Sequence, residues 1–258
     1  GITRLEKDVL CNTGLVSIEI PASVNYIGTY AFRDCKQLKE VIINAPKFTV
    51  EANAFGVMAG ALPGTTIYVA NAEMKAYLES TLAFANQFTV VGPTSVSNTE
   101  GLKNALDADA KIVSVAVGEY TFPATSVKAG QTIICEEGTV FAGTSSLNIK
   151  GATVEGATFD NPGGTVVGGT INGTFKDCKF TGGNALRWAS AGETVVFEDC
   201  EFSGDLYGVH FDGGANDVIF RNCVISGFNA LGAALTMATF EGCTFKGNRS
   251  EEHTSELQ

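Results

Sequence analysis

The amino-acid sequence predicts a mainly β protein built from two solenoids that follow one another along the chain. The first observation behind this prediction is a pair of distinct repeat systems, whose periods of roughly 20–24 residues are typical of solenoid repeats. The second is the composition, with 30 Gly and 17 Phe but only 17% charged residues. The third is the hydrophobic content of 45%, which is enough for a sizeable core. Because a repeat of this length cannot bury its apolar edge alone, neighbouring repeats must stack to complete that core.

The first repeat system occupies the N-terminal third of the chain. Six apolar positions of the first copy recur at one constant spacing in a second copy. A third, looser copy follows the second at a spacing that is one residue longer. The recurring residues are Leu15, Ile18, Ile20, Ile27, Ala31 and Phe32, then Leu38, Val41, Ile43, Val50, Ala54 and Phe55, with Leu62 and Ile67 as the third-copy counterparts of Leu38 and Ile43. Each copy is predicted to contain one short strand, at Ser17–Ile20, Glu40–Ile43 and Thr66–Val69.

The segment Ile20–Leu38 carries the most specific motif of this region. It meets in full the pattern I-P-x-S-V-x-x-I-G-x-x-A-F-x-x-C-x-x-L. This motif resembles the BspA-type leucine-rich repeat of bacterial surface proteins, and the resemblance covers about residues 5–92. It implies a short leucine-rich repeat solenoid with degenerate end copies. Asn71–Ala83 is predicted to be an amphipathic helix that caps this solenoid, since Met74, Tyr77 and Leu78 share one face.

A polar stretch rich in Gly, Pro and Ser at residues 92–98 predicts a domain boundary. We therefore expect a leucine-rich repeat domain at residues 1–92, a linker at 93–98 and a second domain at 99–248. A short helix opens the second domain, with Asn98 or Thr99 as its N-cap. Strands are predicted at Ile112–Val117, Gln131–Cys135 and Thr139–Phe141. This order of elements resembles the opening of right-handed parallel β-helix domains of the pectin-lyase-like type, in which the helix caps the open end.

The second repeat system is the motif F-x-[DNG]-C-x-F. Its copies are Phe175–Phe180, Phe197–Phe202, Phe220–Ile225 and Phe240–Phe245, with a weaker copy at Val154–Phe159. A bend at the Asp, Asn or Gly would let both apolar side chains and the Cys face inward. The intervals between the four cysteines of these copies suit one turn of a parallel β-helix, roughly 20–23 residues. Successive rungs would then stack at about 4.8 Å and form internal ladders of Phe and Cys.

The last ten residues, 249–258, break sharply from this pattern. They read RSEEHTSELQ and resemble the in-frame translation of a common sequencing adapter at all ten positions. We expect a non-native tail on a metagenomic fragment, and hence a β-helix truncated at its C-terminal end. Since the chain begins with Gly1 rather than Met, the lack of a visible signal peptide carries little information.

The seven cysteines are predicted to be mostly buried free thiols. None belongs to a C-x-x-C pair, and only one His, His210, lies outside the tail, which argues against a zinc site. Stacked rungs would bring neighbouring Cys close together, but parallel Cβ vectors disfavour a disulfide.

Composition and motifs also exclude several function classes. A net charge of −11 argues against nucleic acid as a partner, because phosphate binding needs a basic surface. No apolar run approaches the ~20 residues of a membrane span. Nucleotide-binding and nucleophile-elbow motifs are missing from the sequence. We therefore expect no cofactor, no metal and no catalytic residue, with calcium as an option only under the alternative of a polysaccharide lyase.

The best candidate for a ligand-binding site is a column of outward side chains on the second domain. Apolar neighbours on both sides predict that Arg187, His210 and Thr236 point outward, with Glu193 and Asp212 in nearby turns. This column is interpreted as a surface that contacts a glycan, and ordinary solvated rung positions remain the alternative. A second outward set alternates in charge (Lys176, Glu198, Arg221 and Glu241) and is interpreted as structural.

These patterns favour a secreted or cell-surface bacterial interaction protein that binds a host extracellular protein or a polysaccharide. An alternative, based only on analogy of fold, is a polysaccharide lyase or glycoside hydrolase. The resemblance to pectin-lyase-like proteins implies that a lyase would carry a calcium site of clustered acidic residues and an Arg or Lys that acts as the base. No such set of residues can be placed in this sequence. A glycosidase would need two carboxylates about 5–10 Å apart, for which Asp177 with Asp199, or Glu198 with Glu241, are conceivable. A structural stalk is the third alternative.

Overall fold

A computed structural model of the chain describes residues 1–56, 64–83, 88–122, 124, 126–143, 147–188, 194–211, 218–232 and 238–247. The chain forms two compact units, Gly1–Thr94 and Ser95–Gln258. Each unit is a stack of parallel strands with its own apolar core. The predicted fold class, two mainly β solenoids, is confirmed.

The first unit contains two parallel sheets and one helix. Its elements are β1 (Arg4–Leu5), β2 (Ser17–Ile20), β3 (Tyr26–Ile27), β4 (Glu40–Ile43), β5 (Thr49–Val50), β6 (Thr65–Val69), α1 (Ala72–Thr81) and β7 (Phe88–Val91). One sheet has the order β1-β3-β5, and the other has the order β2-β4-β6-β7. Successive repeats therefore add strands to the two sheets in turn, and the apolar core lies between them.

The pairing register confirms the repeat between the first two copies and corrects the third. Ile18 pairs with Val41, and the rings of Phe32 and Phe55 stack with centroids 4.8 Å apart. However, Ile43 pairs with Val69 rather than with Ile67, so the third copy lies two positions further along the chain than predicted. A slip of two positions keeps the same side chains on the inner face of the strand. The apolar pattern therefore could not distinguish the two intervals, and Leu62 lies outside the described residues.

Helix α1 confirms the predicted amphipathic helix. The side chain of Asn71 accepts a hydrogen bond of 2.9 Å from the backbone N–H of Met74, which caps the first turn. Met74 and Leu78 are buried in the core of the first unit, and Tyr77 packs against it. The apolar face thus covers the core, as the sequence predicted.

The second unit is a parallel β-helix with one α-helix near its start. Its elements are β8 (Thr94–Val96), α2 (Thr99–Asp107), β9 (Ile112–Val115), β10 (Glu119–Tyr120), β11 (Thr132–Cys135), β12 (Val140–Ala142), β13 (Leu147–Glu155), β14 (Thr158–Lys176), β15 (Lys179–Trp188), β16 (Val195–Glu198), β17 (Glu201–Phe211), β18 (Val218–Arg221), β19 (Val224–Gly232), β20 (Ala238–Glu241) and β21 (Thr244–Gly247). The strands pair in parallel with their equivalents one rung earlier and later.

The bend between the two strands of each rung is the third position of the F-x-[DNG]-C-x-F motif. Asp177, Asp199 and Asn222 have φ of 51°, 54° and 53° there, in the left-handed region, and Gly242 has 63°. Asp, Asn and Gly adopt this conformation at lower cost than other residues. The motif therefore restricts this position to those residue types because the chain must turn.

Two ladders of stacked Phe rings fill the interior, as predicted. In the first, Phe197 lies between Phe175 and Phe220, with both centroid distances at 5.1 Å. In the second, Phe180 and Phe202 stack with centroids 4.9 Å apart. Rings of the two ladders meet edge to face, which is a favourable arrangement for aromatic pairs.

Helix α2 closes the start of this core. The side chain of Asn98 accepts a hydrogen bond of 2.8 Å from the N–H of Gly101, so Asn98 is the N-cap. Leu102 and Leu106 are fully buried in the β-helix core. The buried amide of Gln131 donates to the carbonyl oxygens of Leu106 and Ala110, at 3.4 and 3.1 Å. These bonds tie the helix to the neighbouring rung.

Two local expectations differ from the structure. Thr94–Val96, within the predicted linker, forms β8, and its Val96 carbonyl accepts a hydrogen bond of 2.9 Å from the N–H of Ala116. The sequence predicts that Arg187 and His210 lie on short strands of their own, but both belong to the ends of the long strands β15 and β17. The predicted domain limits at residues 92 and 99 stay predictions, and the tail 249–258 lies outside the described residues.

Candidate functional site

Arg187 and His210 lie side by side on the outer face of the β-helix, as the sequence predicted. They are register partners on the neighbouring strands β15 and β17, so about 4.8 Å separates their backbones. Leu186 and Val209 are fully buried, whereas Arg187 is exposed and His210 is half-buried. The ring of Tyr207 meets the His210 ring edge to face, with centroids 4.6 Å apart. These residues form one outward group, and their role in binding stays a prediction.

On the next rung the register partner of His210 is Gly232, the last residue of β19. The third member predicted for this column, Thr236, lies outside the described residues, as do Glu193 and Asp212. Their place in the column stays a prediction.

The second outward set forms a ladder of alternating charge along the rungs, as predicted. Its register order is Glu155, Lys176, Glu198, Arg221 and Glu241. The Arg221 guanidinium donates to Glu198 at 3.0 Å and to Glu241 at 2.9 Å, and these bonds raise its pKa. The ammonium of Lys176 lies 3.6 Å from the carboxylate of Glu155, whose pKa is raised by burial. Each cation thus lies between two carboxylates, which is consistent with a structural role.

Replacing Arg221 by Met is expected to lower the free energy of unfolding by about 1 kcal/mol, because Glu198 and Glu241 lose their shared partner. The loss should shrink in about 1 M salt, which screens exposed charges. Lys179→Met is the matched control, since its side chain is 63% exposed and its ammonium lies 3.9 Å from Glu201. Denaturant titrations at low and high salt measure both variants. Equal effects of the two substitutions, or a loss independent of salt, would contradict the structural role of the ladder.

The carboxylate pairs considered for a glycosidase are engaged in structural contacts. Glu198 and Glu241 are bridged by Arg221, as described above. The carboxylate of Asp199 accepts a hydrogen bond of 3.2 Å from the amide of Asn222, and that of Asp177 lies 3.7 Å from the Lys176 ammonium. A role for either pair as the acid and base of a glycosidase stays a prediction.

The four motif cysteines of the second unit form an internal ladder of free thiols, as predicted. All seven are unpaired, and five of them are buried. The Sγ atoms of Cys200, Cys223 and Cys243 lie 3.4 Å from the carbonyl oxygens of Phe175, Phe197 and Phe220 respectively, one rung earlier. Burial raises the pKa of the Cys200 thiol, so the thiolate is suppressed.

Alkylation of the native protein is therefore expected to modify Cys11 and Cys243, which are half-buried, before the five buried cysteines. Buried thiols should react more than about tenfold more slowly until the protein is denatured, because reagent does not reach them. Peptide mass spectrometry of time points measures the order. Fast modification of Cys200 in the native state, or a Cys178–Cys200 or Cys200–Cys223 disulfide in unreduced protein, would contradict the ladder of buried thiols.

A cleft on the outer face was missed by the sequence reasoning. Its volume is about 410 Å³, and it crosses the three rungs that contain β17, β19 and β21. The lining residues are Ser203, Gly204, Asp205, Ser226, Gly227, Phe228, Lys246 and Gly247. Ser203, Ser226 and Lys246 are in register, as are the three glycines that follow them.

A sequence signal for this cleft exists in the two residues after each F-x-[DNG]-C-x-F motif. Thr181-Gly182, Ser203-Gly204, Ser226-Gly227 and Lys246-Gly247 repeat at this position. Directly after Gly204 the register with β19 shifts, which marks a second corner of the rung. The repeated Gly at a corner was visible in the sequence, but its concave outer side was not.

Within the described ranges, no group of three or more His, Cys, Asp or Glu residues is arranged to hold a metal ion. In the same part of the chain, neither helix is long and apolar enough to cross a membrane.

Comparison with known families assigns each part of the chain separately. Residues 3–104 match the BspA type leucine rich repeat region in six copies, and residues 163–254 match the right handed beta helix region. The comparisons with curated proteins and with solved structures found no match. The first match extends past Thr94 into α2, whose apolar face belongs to the core of the second unit. These matches agree with the predicted resemblances: the N-terminal part is similar to BspA-type leucine-rich repeats, and the C-terminal part is similar to a right-handed β-helix region.

Proposed function

We propose that this chain is an interaction module of a secreted or cell-surface bacterial protein that binds a host extracellular protein or a polysaccharide. The observation that carries this proposal is the match of residues 3–104 to BspA-type repeats, which are typical of bacterial surface proteins and suggest a role in protein interaction. The β-helix adds a second outer surface, built on a rigid core of stacked rings.

The outer surface of the β-helix supports binding more than catalysis. Its paired carboxylates are bridged by Arg221 or bonded to Asn222, so their charge stabilises the stack. The Arg187 and His210 group, by contrast, presents polar side chains at adjacent rung positions with an aromatic neighbour. Such a group can donate hydrogen bonds to hydroxyl or carboxylate oxygens of a ligand.

Binding of the intact chain to arrays of glycans and of extracellular-matrix proteins tests the proposal. We expect saturable binding to at least one class without turnover of the ligand. If a glycan binds through the Arg187 group, the double variant Arg187→Ala with His210→Ala should weaken its binding. Lys179→Ala, which also removes one exposed cation, should not.

Two outcomes would overturn the proposal. A calcium-dependent rise of unsaturated products from a uronate polymer would assign the chain to the polysaccharide lyases instead. Failure to bind any glycan or protein on the arrays would leave the stalk as the better description.

A further inference from the structure

The cleft that crosses β17, β19 and β21 combines polar groups from three successive rungs with a concave shape. Asp205 comes from the first rung, Ser226 from the second and Lys246 from the third. At about 4.8 Å a rung, the lining spans about 10 Å, comparable to one or two sugar rings. Its volume of about 410 Å³ lies in the range of small-molecule sites, about 300–1,000 Å³.

An exposed aromatic ring forms part of the wall of this cleft. Phe228 is 48% exposed, although the other described Phe side chains at the core of the β-helix are buried or packed against it. Leu206, next to Asp205, is 56% exposed. An exposed Phe ring in the wall of a polar cleft offers a ligand an apolar surface that the core does not use. The face of a Phe ring can pack against the C–H groups of a sugar.

The polar groups of the cleft suit hydroxyl ligands. Asp205 supplies carboxylate acceptors, and Lys246 supplies an ammonium donor. The Ser226 hydroxyl donates to the carbonyl of Phe202 at 3.0 Å, so its oxygen can still accept a hydrogen bond. Since one carboxylate and one ammonium balance in charge, the lining favours neither an anionic nor a cationic ligand.

We propose that this cleft is a subsite for an uncharged saccharide, in which Phe228 packs against a sugar ring and Asp205 and Lys246 bind its hydroxyl groups. The inference rests on the proposed interaction function and narrows it to one ligand class and one place. It also separates this subsite from the Arg187 and His210 group, whose cationic side chain suits an acidic sugar.

Isothermal titration calorimetry of the full chain tests the subsite. The neutral probes are short cello-, malto-, manno- and chito-oligosaccharides, and oligogalacturonate is the acidic probe. We expect at least one neutral probe to bind, and Phe228→Ala to weaken its affinity about tenfold. Asp205→Asn should weaken it about fivefold, because a charged acceptor is lost. Val117→Ala is the matched control, since Val117 is a 61% exposed apolar side chain near the start of the β-helix, and it should not change affinity.

The contrary outcomes are distinct from those for the proposed function. If no neutral probe binds, or if the Phe228→Ala variant binds that probe as tightly as the parent chain does, the proposal of a saccharide subsite is wrong. The interaction function would then still be upheld by binding of a matrix protein. It would also be upheld if the parent chain bound oligogalacturonate and the Arg187→Ala variant did not. Thermal melts of Phe228→Ala should match the parent chain, which would exclude misfolding as the cause of lost binding.

Discussion

Replacing Phe197 by Ala is expected to lower the free energy of unfolding of the β-helix by about 4 kcal/mol. Phe197 is fully buried and stacks between Phe175 and Phe220, with both centroids at 5.1 Å. It also meets Phe180 and Phe202 edge to face, at 5.7 and 5.2 Å. Truncation therefore removes one ring from a ladder and leaves a cavity that rigid rungs on both sides cannot fill. Guanidinium titration followed by circular dichroism measures the loss.

Two variants show whether the loss comes from the ladder. Phe197→Leu keeps most of the volume and is expected to cost about 1.5 kcal/mol. Phe228→Ala removes the same side chain from an exposed position and should stay within about 0.5 kcal/mol of the parent chain. If Phe197→Ala were no more destabilising than Phe228→Ala, the result would contradict a buried ladder of stacked Phe rings. A transition that broadens as well as shifts would mean that the rungs unfold separately.

Replacing Gly204 by Ala is expected to destabilise the β-helix by about 3 kcal/mol, through overlap with the backbone. A β-carbon at this position would overlap the carbonyl oxygen of Tyr207 and lie 3.0 Å from the backbone nitrogen of Ala185. Neither contact is the end of a flexible side chain, so the rung corner itself must shift. Denaturant titration measures this loss as well.

Gly247→Ala is the control, because Gly247 occupies the same register column two rungs later and has open space at its β-carbon position. Both substitutions reduce the freedom of the unfolded chain equally, so this contribution cancels in the comparison. Gly247→Ala should be neutral or stabilise slightly. Equal loss in both variants would point to a backbone effect of Ala and not to the tight corner at Gly204.

Much of the architecture could be predicted because the repeats place like residues in register. The F-x-[DNG]-C-x-F motif predicted the inward Phe and Cys, the bend at Asp, Asn or Gly, and the alternating charge ladder. Each follows from strand alternation and from the rare backbone conformation of the bend. Arg187 and His210 could be paired for the same reason, since similar offsets from the motif imply equivalent positions on a rung.

The predictions failed where the distance along the chain does not determine the register. The third leucine-rich repeat is offset by two positions, which the apolar pattern tolerates without change of face. The linker predicted at 93–98 stays a prediction, and its Val96 is buried in the core of the second unit.

The sequence by itself determined two stacks of β rungs, the bends between their strands and the side chains that fill them. These features depend on the periodicity of apolar residues and on the backbone preferences of single residues, and both can be read from a short stretch of sequence. Which outer residues share a cleft depends on how the rungs fold and stack. Asp205, Phe228 and Lys246 are far apart in sequence; the first two follow the repeated Gly of their rungs, whereas Lys246 precedes that Gly. They meet because parallel stacking brings the equivalent segments of three successive rungs side by side.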